Sequence, residues 1–337
     1  MIIKLLKSIA RRHALVTIVL GTVLVQAGHA GPAFESDSPA YAPKPWTQKD
    51  FQNDPNDFRF LVIGDRTGGE RLGIFDRAMD KANLFQPEFV MSIGDLIEGY
   101  TSDLPKLDSM WSELDEKVSR LDMPFFRVIG NHDLGNDTMR KVWESRYGPT
   151  YYHFKYRDCL FLALNSEDPP NLVDPEFEKD LVKYNRLKVT DPEAAAVMLA
   201  EFMKSDRLKS YRKPANFSDD QVEYVRKVLS EDKDARWTFV FFHQPAWENP
   251  SENFVKIENL LRENERQYTV FAGHMHYYKH EERFGRDYIR MGTVGGSFHK
   301  DGPGNVDHLT WVTMKDGGPV IANIKLDGIF KKDDLKD

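Results

Sequence analysis

The sequence contains a single cysteine, Cys159, among its 337 residues. One cysteine forms no intrachain disulfide, and it supplies too few thiolates for a cysteine-based zinc site, so both kinds of stabilisation are excluded. Cys159 opens the apolar run 159–164 and is predicted to be a core residue. A hydrophobic core must therefore hold the fold together, and a chain of this length can bury a large one.

Positive charge is also scarce once the first thirty residues are set aside. The remaining chain carries 42 Lys and Arg against 53 Asp and Glu. A surface this acidic argues against nucleic acid or an anionic membrane as the main partner. We therefore expect no nucleic-acid-binding surface.

The apolar stretch near the N-terminus is too short to span a bilayer comfortably. It covers the twelve residues 14–25, whereas a spanning helix needs about 20. Four basic residues precede it, and Gly28-His29-Ala30 offers a small-x-small cleavage site. Residues 1–30 are therefore predicted to be a signal peptide of an exported protein, periplasmic or secreted, with no stable membrane insertion after cleavage. An uncleaved anchor and, because of Arg11-Arg12, a twin-arginine route stay open as alternatives.

Strands and helices are predicted to alternate from residue 58 onward. Five prolines in 31–57 indicate an extended leader, and 58–330 is predicted to be one domain. The βαβαβ rhythm at its start indicates an α/β fold with parallel strands. Tyr151 to Leu164 reads as two strands joined without a helix, so the sheet should be mixed. Residues 166–217 break the rhythm and are predicted to be an insertion over the edge of the sheet.

The apolar periodicity predicts the individual elements. The predicted strands are 58–63, 89–93, 124–129, 151–156, 159–164, 237–242, 268–271, 288–294, 309–314 and 320–326. Helices are predicted at 74–82, 108–121 and 218–229, and another begins at Pro192, where Asp191 would cap it.

Five predicted strands end in polar side chains that packing does not require. The residues at these ends are Asp65, Asp95, Asn131 with His132, His243, and His274 with His276. Ligands of open α/β sheets gather at the carboxyl ends of the strands. All of these side chains offer the oxygen or nitrogen donors that divalent metals bind, so the sequence indicates one metal site at this edge.

The motifs resemble those of the calcineurin-like metallophosphoesterase superfamily, and more loosely those of its purple acid phosphatase branch. The superfamily's pattern is Gly-Asp-x-His, Gly-Asp-x-x-Asp/Glu, Gly-Asn-His-Asp/Glu, a lone His, and Gly-His-x-His. The corresponding residues here are Gly64 to Thr67, Gly94 to Glu98, Gly130 to Asp133, His243, and Gly273 to His276. The resemblance spans about residues 58–326 and implies two mixed β-sheets packed face to face and flanked by helices, a four-layer sandwich.

The resemblance also implies a role for each strand-end residue. Asp95 would bridge two metal ions, which could be Mn, Fe or Zn. Asn131, His243 and His274 would complete the first ion's ligands, and Asp65 and His276 would bind the second. His274 and His276 lie two apart in extended backbone, so their rings can point to the same side. His132, oriented by Glu98, would act as general acid, and Asp133 would support the site.

Thr67 departs from the superfamily pattern, which has a histidine ligand at this position. Purple acid phosphatases supply a tyrosine from the second motif instead, but Glu98 stands at that position here. Three explanations stay open: Thr67 or a water fills the position, another residue such as His153 does, or this metal is bound weakly. The neighbouring Arg66 is predicted to grip a phosphate oxygen.

The function expected from this resemblance is metal-dependent hydrolysis of a phosphoester. A hydroxide bridging the metals would attack phosphorus, and His132 would protonate the leaving alcohol. The substrate would be a phosphorylated small molecule or macromolecule. The alternative is a degenerate protein that binds metal and phosphate without turnover, and the threonine at position 67 is the feature that favours it.

Overall fold

The computed structural model describes residues 54, 56–170, 175–202, 204–205 and 214–329. The predicted signal peptide (1–30) and nearly all of the predicted leader (31–57) lie outside the described residues, so both remain predictions. Within the described ranges, no helix is both long enough and apolar enough to cross a bilayer.

The described part of the chain contains eleven strands and seven α-helices, which alternate strictly as far as the fourth strand. The strands are β1 (Phe58–Ile63), β2 (Phe89–Ser92), β3 (Phe125–Phe126), β4 (Tyr152–Tyr156), β5 (Cys159–Ala163), β6 (Trp237–Phe241), β7 (Gln267–Ala272), β8 (Lys279–Arg283), β9 (Arg286–Arg290), β10 (His308–Lys315) and β11 (Gly318–Lys325). The helices are α1 (Ile74–Phe85), α2 (Leu104–Val118), α3 (Asp137–Tyr147), α4 (Pro175–Thr190), α5 (Pro192–Phe202), α6 (Asp219–Glu231) and α7 (Glu252–Glu263).

The strands form two sheets, and both are mixed, as predicted. The first has the order β11-β10-β1-β2-β3, in which β1, β2 and β3 are parallel and β10 runs antiparallel to β1. The second has the order β4-β5-β6-β7-β9-β8, in which β5, β6, β7 and β9 are parallel. In both sheets, the loops that carry the polar residues follow the carboxyl ends of the parallel strands.

Three apolar clusters divide the fold into four layers. One lies between the sheets, one packs the first sheet against α1, α2 and α3, and one packs the second sheet against α6 and α7. Aromatic rings fill the layer between the sheets: Phe161 of β5 lies edge-on to Phe60 of β1 at 5.4 Å and to Phe89 of β2 at 5.3 Å. The predicted sandwich of two sheets flanked by helices is confirmed.

The predicted strand 124–129 is shorter than its apolar run indicates. Only Phe125–Phe126 pairs with β2, although Val128 and Ile129 are buried. The backbone N–H of Val128 donates to the side-chain hydroxyl of Ser92, the last residue of β2, at 3.0 Å instead of to a backbone carbonyl. The chain thus leaves the ladder early while it remains in the core. Burial alone produces the same apolar pattern as a strand, which explains the overprediction.

The described part of the predicted insertion contains two helices, α4 and α5. The one predicted to begin at Pro192 does so, and the carboxylate of Asp191 caps it by accepting the N–H of Ala194 at 3.0 Å. Ser218 likewise caps α6 by accepting the N–H of Gln221. Helices α3, α4 and α7 and strand β8 were not predicted.

Candidate metal centre

Two groups of side chains at the carboxyl ends of the strands could each hold a metal ion. The first contains Asp95, His243 and His274, and the second contains Asp65, Asp95 and His276. Within each group, the donor atoms lie within 4.8 Å of one another. Asp95 belongs to both groups, so its carboxylate stands where a ligand shared by two ions would stand.

The donors of the first group converge on the Nε2 atom of His243. Asn131 Oδ1 lies 3.0 Å from that atom, Asp95 Oδ2 lies 3.1 Å from it, and His274 Nδ1 lies 3.2 Å from it. Around an ion with bonds of about 2.1 Å, neighbouring donors are about 3.0 to 3.4 Å apart. The spacing of these side chains therefore fits a metal ion, and Asn131 joins the group as a neutral oxygen donor.

Two of the histidines are fixed in the orientation that a metal ligand needs. The Nδ1–H of His243 donates to the carbonyl of Ile93 at 2.8 Å, and that of His276 donates to the carbonyl of Ser297. These bonds leave the Nε2 lone pairs facing carboxylates, with His276 Nε2 at 3.2 Å from Asp65 Oδ2. Backbone carbonyls commonly hold ligating histidines in this way.

The charges of the centre also call for cations. Asp65 and Asp95 are fully buried, and within the described ranges neither forms an ion pair with a lysine or arginine. Burial lowers the pKa of His243, but the Asp95 carboxylate outweighs that effect and raises it to about 10. Burial, reinforced by His243, lowers the pKa of His274 to about 3 and keeps its lone pair available. In the metal-free protein a proton on His243 therefore offsets the charge of Asp95, and a bound metal ion would take the place of that proton.

The backbone at the ligand positions is itself unusual. Asp95, His274 and His276 all have positive φ angles, of 54°, 68° and 49°. Such angles cost free energy in residues other than glycine and concentrate at functional sites. Gly130 and Gly273 allow the loops to approach closely, because a Cβ atom at either position would collide with the Asp95 or Asp65 carboxylate.

Asp133 ties two of these loops together. Its carboxylate accepts the backbone N–H groups of Gly130 at 2.9 Å, Leu96 at 2.8 Å and Ile97 at 3.1 Å. It thereby fixes the loop after β3 against the loop that carries Asp95. This contact agrees with the supporting role that the resemblance implied for Asp133.

His132 lies beside the shared carboxylate with one ring nitrogen engaged. Its backbone N–H donates to Asp95 Oδ1 at 2.9 Å, and its Nδ1–H donates to the backbone carbonyl of Glu98 at 2.9 Å. The Glu98 carboxylate is more distant, at 3.8 Å, and one of its oxygens accepts the N–H groups of Gly69 and Glu70. Glu98 therefore contacts His132 through its backbone carbonyl and not through the carboxylate that the resemblance implied. The ring lines the cavity next to Asp95.

The structure corrects the role predicted for Arg66. This side chain is buried, and its guanidinium donates to Glu70, to Glu113 at 2.7 Å and to the carbonyl of Leu96 at 3.2 Å. It also lies over the ring of Phe75. The side chain of Arg66 therefore packs beneath the loop, and it does not line the cavity at the metal centre.

Neither side chain suggested for the position at Thr67 supplies a ligand. The Thr67 hydroxyl is buried between the carbonyls of Asp95 and Ile97, at 2.9 and 2.7 Å. His153 lies in β4 and pairs with the hydroxyl of Tyr224 at 2.6 Å. The backbone of Gly68 lies against His276 instead, since a Cβ there would press on the imidazole. The remaining explanations, a residue other than His153, a water or a weakly held ion, stay predictions.

Replacing Thr67 with valine tests whether this residue supports the loop or binds metal. Valine keeps the volume but removes the hydroxyl, so we expect the free energy of unfolding to fall by about 1–3 kcal/mol. Metal content per chain should not change, since no donor atom is lost. Denaturant unfolding and metal analysis check both points. Loss of metal at unchanged stability would contradict this role for Thr67.

A cavity of about 1020 Å³ opens above the two donor groups. Lys188 of α4 and His299 reach it, although no sequence motif pointed to either of them. The His299 ring stacks on His276 at 4.0 Å, and burial lowers its pKa well below the usual value. An insertion has no motif of its own, so only the folded chain shows which of its side chains reach the centre.

The comparisons with known proteins agree with this geometry. A family model, calcineurin-like phosphoesterase, matches residues 58–278. Among solved structures, a dimetal phosphatase from Danio rerio is 14% identical with a TM-score of 0.56, covering 80% of this chain and 96% of its own. A purple acid phosphatase from Lupinus luteus is 12% identical with a TM-score of 0.54, covering 80% and 52%. At these identities the structural likeness shows the fold alone. No curated protein sequence matches this chain significantly.

Proposed function

Because this chain belongs to the calcineurin-like phosphoesterase family, we propose that it is a metal-dependent phosphoesterase with a two-metal centre. The observation that carries the proposal is the Asp95 carboxylate, which two groups of donors share and beside which His132 lies. A structural protein has no need for buried carboxylates that face histidines at such spacing.

We assign the residues to the two ions from the distances between their donor atoms. Asn131, His243 and His274 would hold one ion, Asp65 and His276 would hold the other, and Asp95 would contact both. Nitrogen and oxygen donors of this kind suit Mn, Fe or Zn. When bound, two dications supply the positive charge that polarises a phosphoester and acidifies water. The substrate is a phosphorylated small molecule or macromolecule.

His132 is proposed to protonate the leaving oxygen. Its Nδ1–H is held by the Glu98 carbonyl, so its Nε2 is the nitrogen that can carry a proton toward the substrate. It lines the cavity without belonging to either donor group. A general acid needs this combination of proximity and freedom from coordination.

Metal removal tests the proposed activity. We expect purified protein to hydrolyse 4-nitrophenyl phosphate, to lose that activity after chelation, and to regain it when Mn²⁺, Zn²⁺ or Fe²⁺ is added back. Release of 4-nitrophenolate measures each step, and protein treated with metal-saturated chelator is the control. A protein that binds metal but hydrolyses no phosphoester under any of these additions would be the non-catalytic binder instead.

A further inference from the structure

Helices α4 and α5, here called the cap, pack against a residue of the metal centre. Phe177 and Leu181 of α4 pack against Tyr100, whose ring lies edge-on to His132 at 4.6 Å. The Tyr100 hydroxyl accepts a hydrogen bond from the Asn131 amide at 2.5 Å. The cap therefore contacts a residue that holds both a donor and the proposed acid, and its side chains form one side of the cavity.

Lys188 brings a positive charge from the cap into this cavity. Its ammonium donates to the carbonyl of Gly68 at 2.6 Å and to His299 Nε2 at 3.3 Å. An ammonium has three hydrogens, so one remains for the cavity. Among the described residues, no carboxylate forms an ion pair with Lys188. Burial lowers its pKa to about 8, which leaves it charged at neutral pH.

The number of non-bridging phosphate oxygens decides whether a monoester or a diester suits Lys188 better. A phosphomonoester dianion has three non-bridging oxygens, so two can face the two donor groups while the third meets Lys188. A diester has only two such oxygens and one negative charge. A partly buried ammonium that forms no ion pair with a carboxylate of the described residues matches the additional charged oxygen of the monoester.

Apolar side chains form much of the lining of the cavity that contains the donors. This apolar wall consists of Leu181, Ala195, Leu199 and Phe202 of the cap together with Met275 and Phe298. Met275 and Phe298 are each 38% exposed, so both side chains are open to the cavity they line. The wall is continuous with the metal centre, so the group that enters it is the one attached to the bound phosphate.

We propose that the substrates are phosphomonoesters of apolar alcohols or phenols, with Lys188 as the phosphate-binding residue of the cap and the apolar wall as the leaving-group site. This inference rests on the proposed phosphoesterase function.

Two alkyl phosphates test the leaving-group site. Hydrolysis releases ethanol from ethyl phosphate and hexanol from hexyl phosphate, and these two alcohols are similarly acidic but differ in apolar length. We therefore expect kcat/KM to be at least about tenfold higher for hexyl phosphate. Leu199→Gln should reduce that ratio to below about threefold. Val197→Gln is the matched control, because Val197 lies on the same helix but is 67% exposed and should keep the wild-type ratio.

Mono- and diesters test Lys188. Lys188→Met should lower kcat/KM for 4-nitrophenyl phosphate by about a hundredfold and leave that for bis(4-nitrophenyl) phosphate within about threefold. Lys188→Arg should recover part of the loss by retaining the charge, and Lys183→Met, at an exposed position of the same helix, is the control.

The outcomes separate the two proposals. A wild-type protein inactive on all four esters would overturn the phosphoesterase function and this inference together. An active wild type that prefers neither hexyl to ethyl phosphate nor monoester to diester would overturn only the inference. Equal losses on monoester and diester in Lys188→Met would also overturn the assigned role of Lys188.

Discussion

Asp95→Asn is expected to remove both metal ions and to lower turnover by at least about a thousandfold. Asp95 is the residue that both donor groups share, and its carboxylate is fully buried among histidines. An amide keeps the shape of the side chain but removes the negative charge and one of the two oxygen donors. Metal analysis of purified protein and the hydrolysis rate of 4-nitrophenyl phosphate measure both effects.

Substitutions of residues that belong to only one donor group provide the comparison for Asp95→Asn. His243→Ala and His276→Ala should each lower the metal content by one ion per chain, because each belongs to a single donor group. Asp287→Asn is a suitable control, since Asp287 of β9 belongs to neither donor group and its carboxylate pairs with His280. An Asp95→Asn protein that retains two ions and substantial activity would contradict the shared position of this carboxylate.

His132→Gln is expected to lower kcat for ethyl phosphate by about 10²–10⁴ with unchanged metal content. The contact of residue 132 with Asp95 is made by the backbone N–H, so it survives the substitution. The substitution removes the proton-donating imidazole together with its contacts to the Glu98 carbonyl and the Tyr100 ring. Steady-state kinetics and metal analysis on the same preparation check the two halves of this result.

The leaving group separates an acid from a residue that merely shapes the cavity. 4-Nitrophenol is a far stronger acid than ethanol, so its departure needs little protonation, and the loss with 4-nitrophenyl phosphate should be less than about tenfold. Equal losses with both esters would assign His132 a structural role. Full activity with ethyl phosphate would remove it from the mechanism altogether.

The six proposed ligands could be found in the sequence because strand geometry brings them together. Polar residues directly after buried parallel strands must meet at one edge of the sheets, whatever the helices do. The structure brings Asp65, Asp95, Asn131, His243, His274 and His276 together there. The motif order carried this information, and the short β3 did not disturb it because the chain stays buried through Ile129.

Side-chain direction in the loops could not be predicted in the same way. Arg66 directly follows a ligand, yet its side chain turns away from the cavity. Its guanidinium donates beneath the loop to the carboxylates of Glu70 and Glu113 and to the carbonyl of Leu96. The cavity cation comes instead from Lys188, more than a hundred residues later. Which of two cations reaches a site depends on packing over long sequence separations, and a single sequence contains no pattern for that.

Glu98 shows that a sequence motif does not distinguish a main-chain contact from a side-chain contact. The resemblance implied that the Glu98 carboxylate orients His132, but the hydrogen bond uses the backbone carbonyl. The carboxylate holds the N–H groups of Gly69 and Glu70, and two successive glycines with positive φ bring those groups into reach. Sequence patterns identify a residue type at a position, whereas the choice between its main chain and its side chain is made by the fold.

Titration of metal-free protein with Mn²⁺, in which bound metal and the rate of 4-nitrophenyl phosphate hydrolysis are measured in the same samples, tests the two-metal centre most directly. The account predicts no hydrolysis without metal and a rate that reaches its plateau at two ions per chain. A plateau at one ion per chain, or hydrolysis by the metal-free protein, would contradict it.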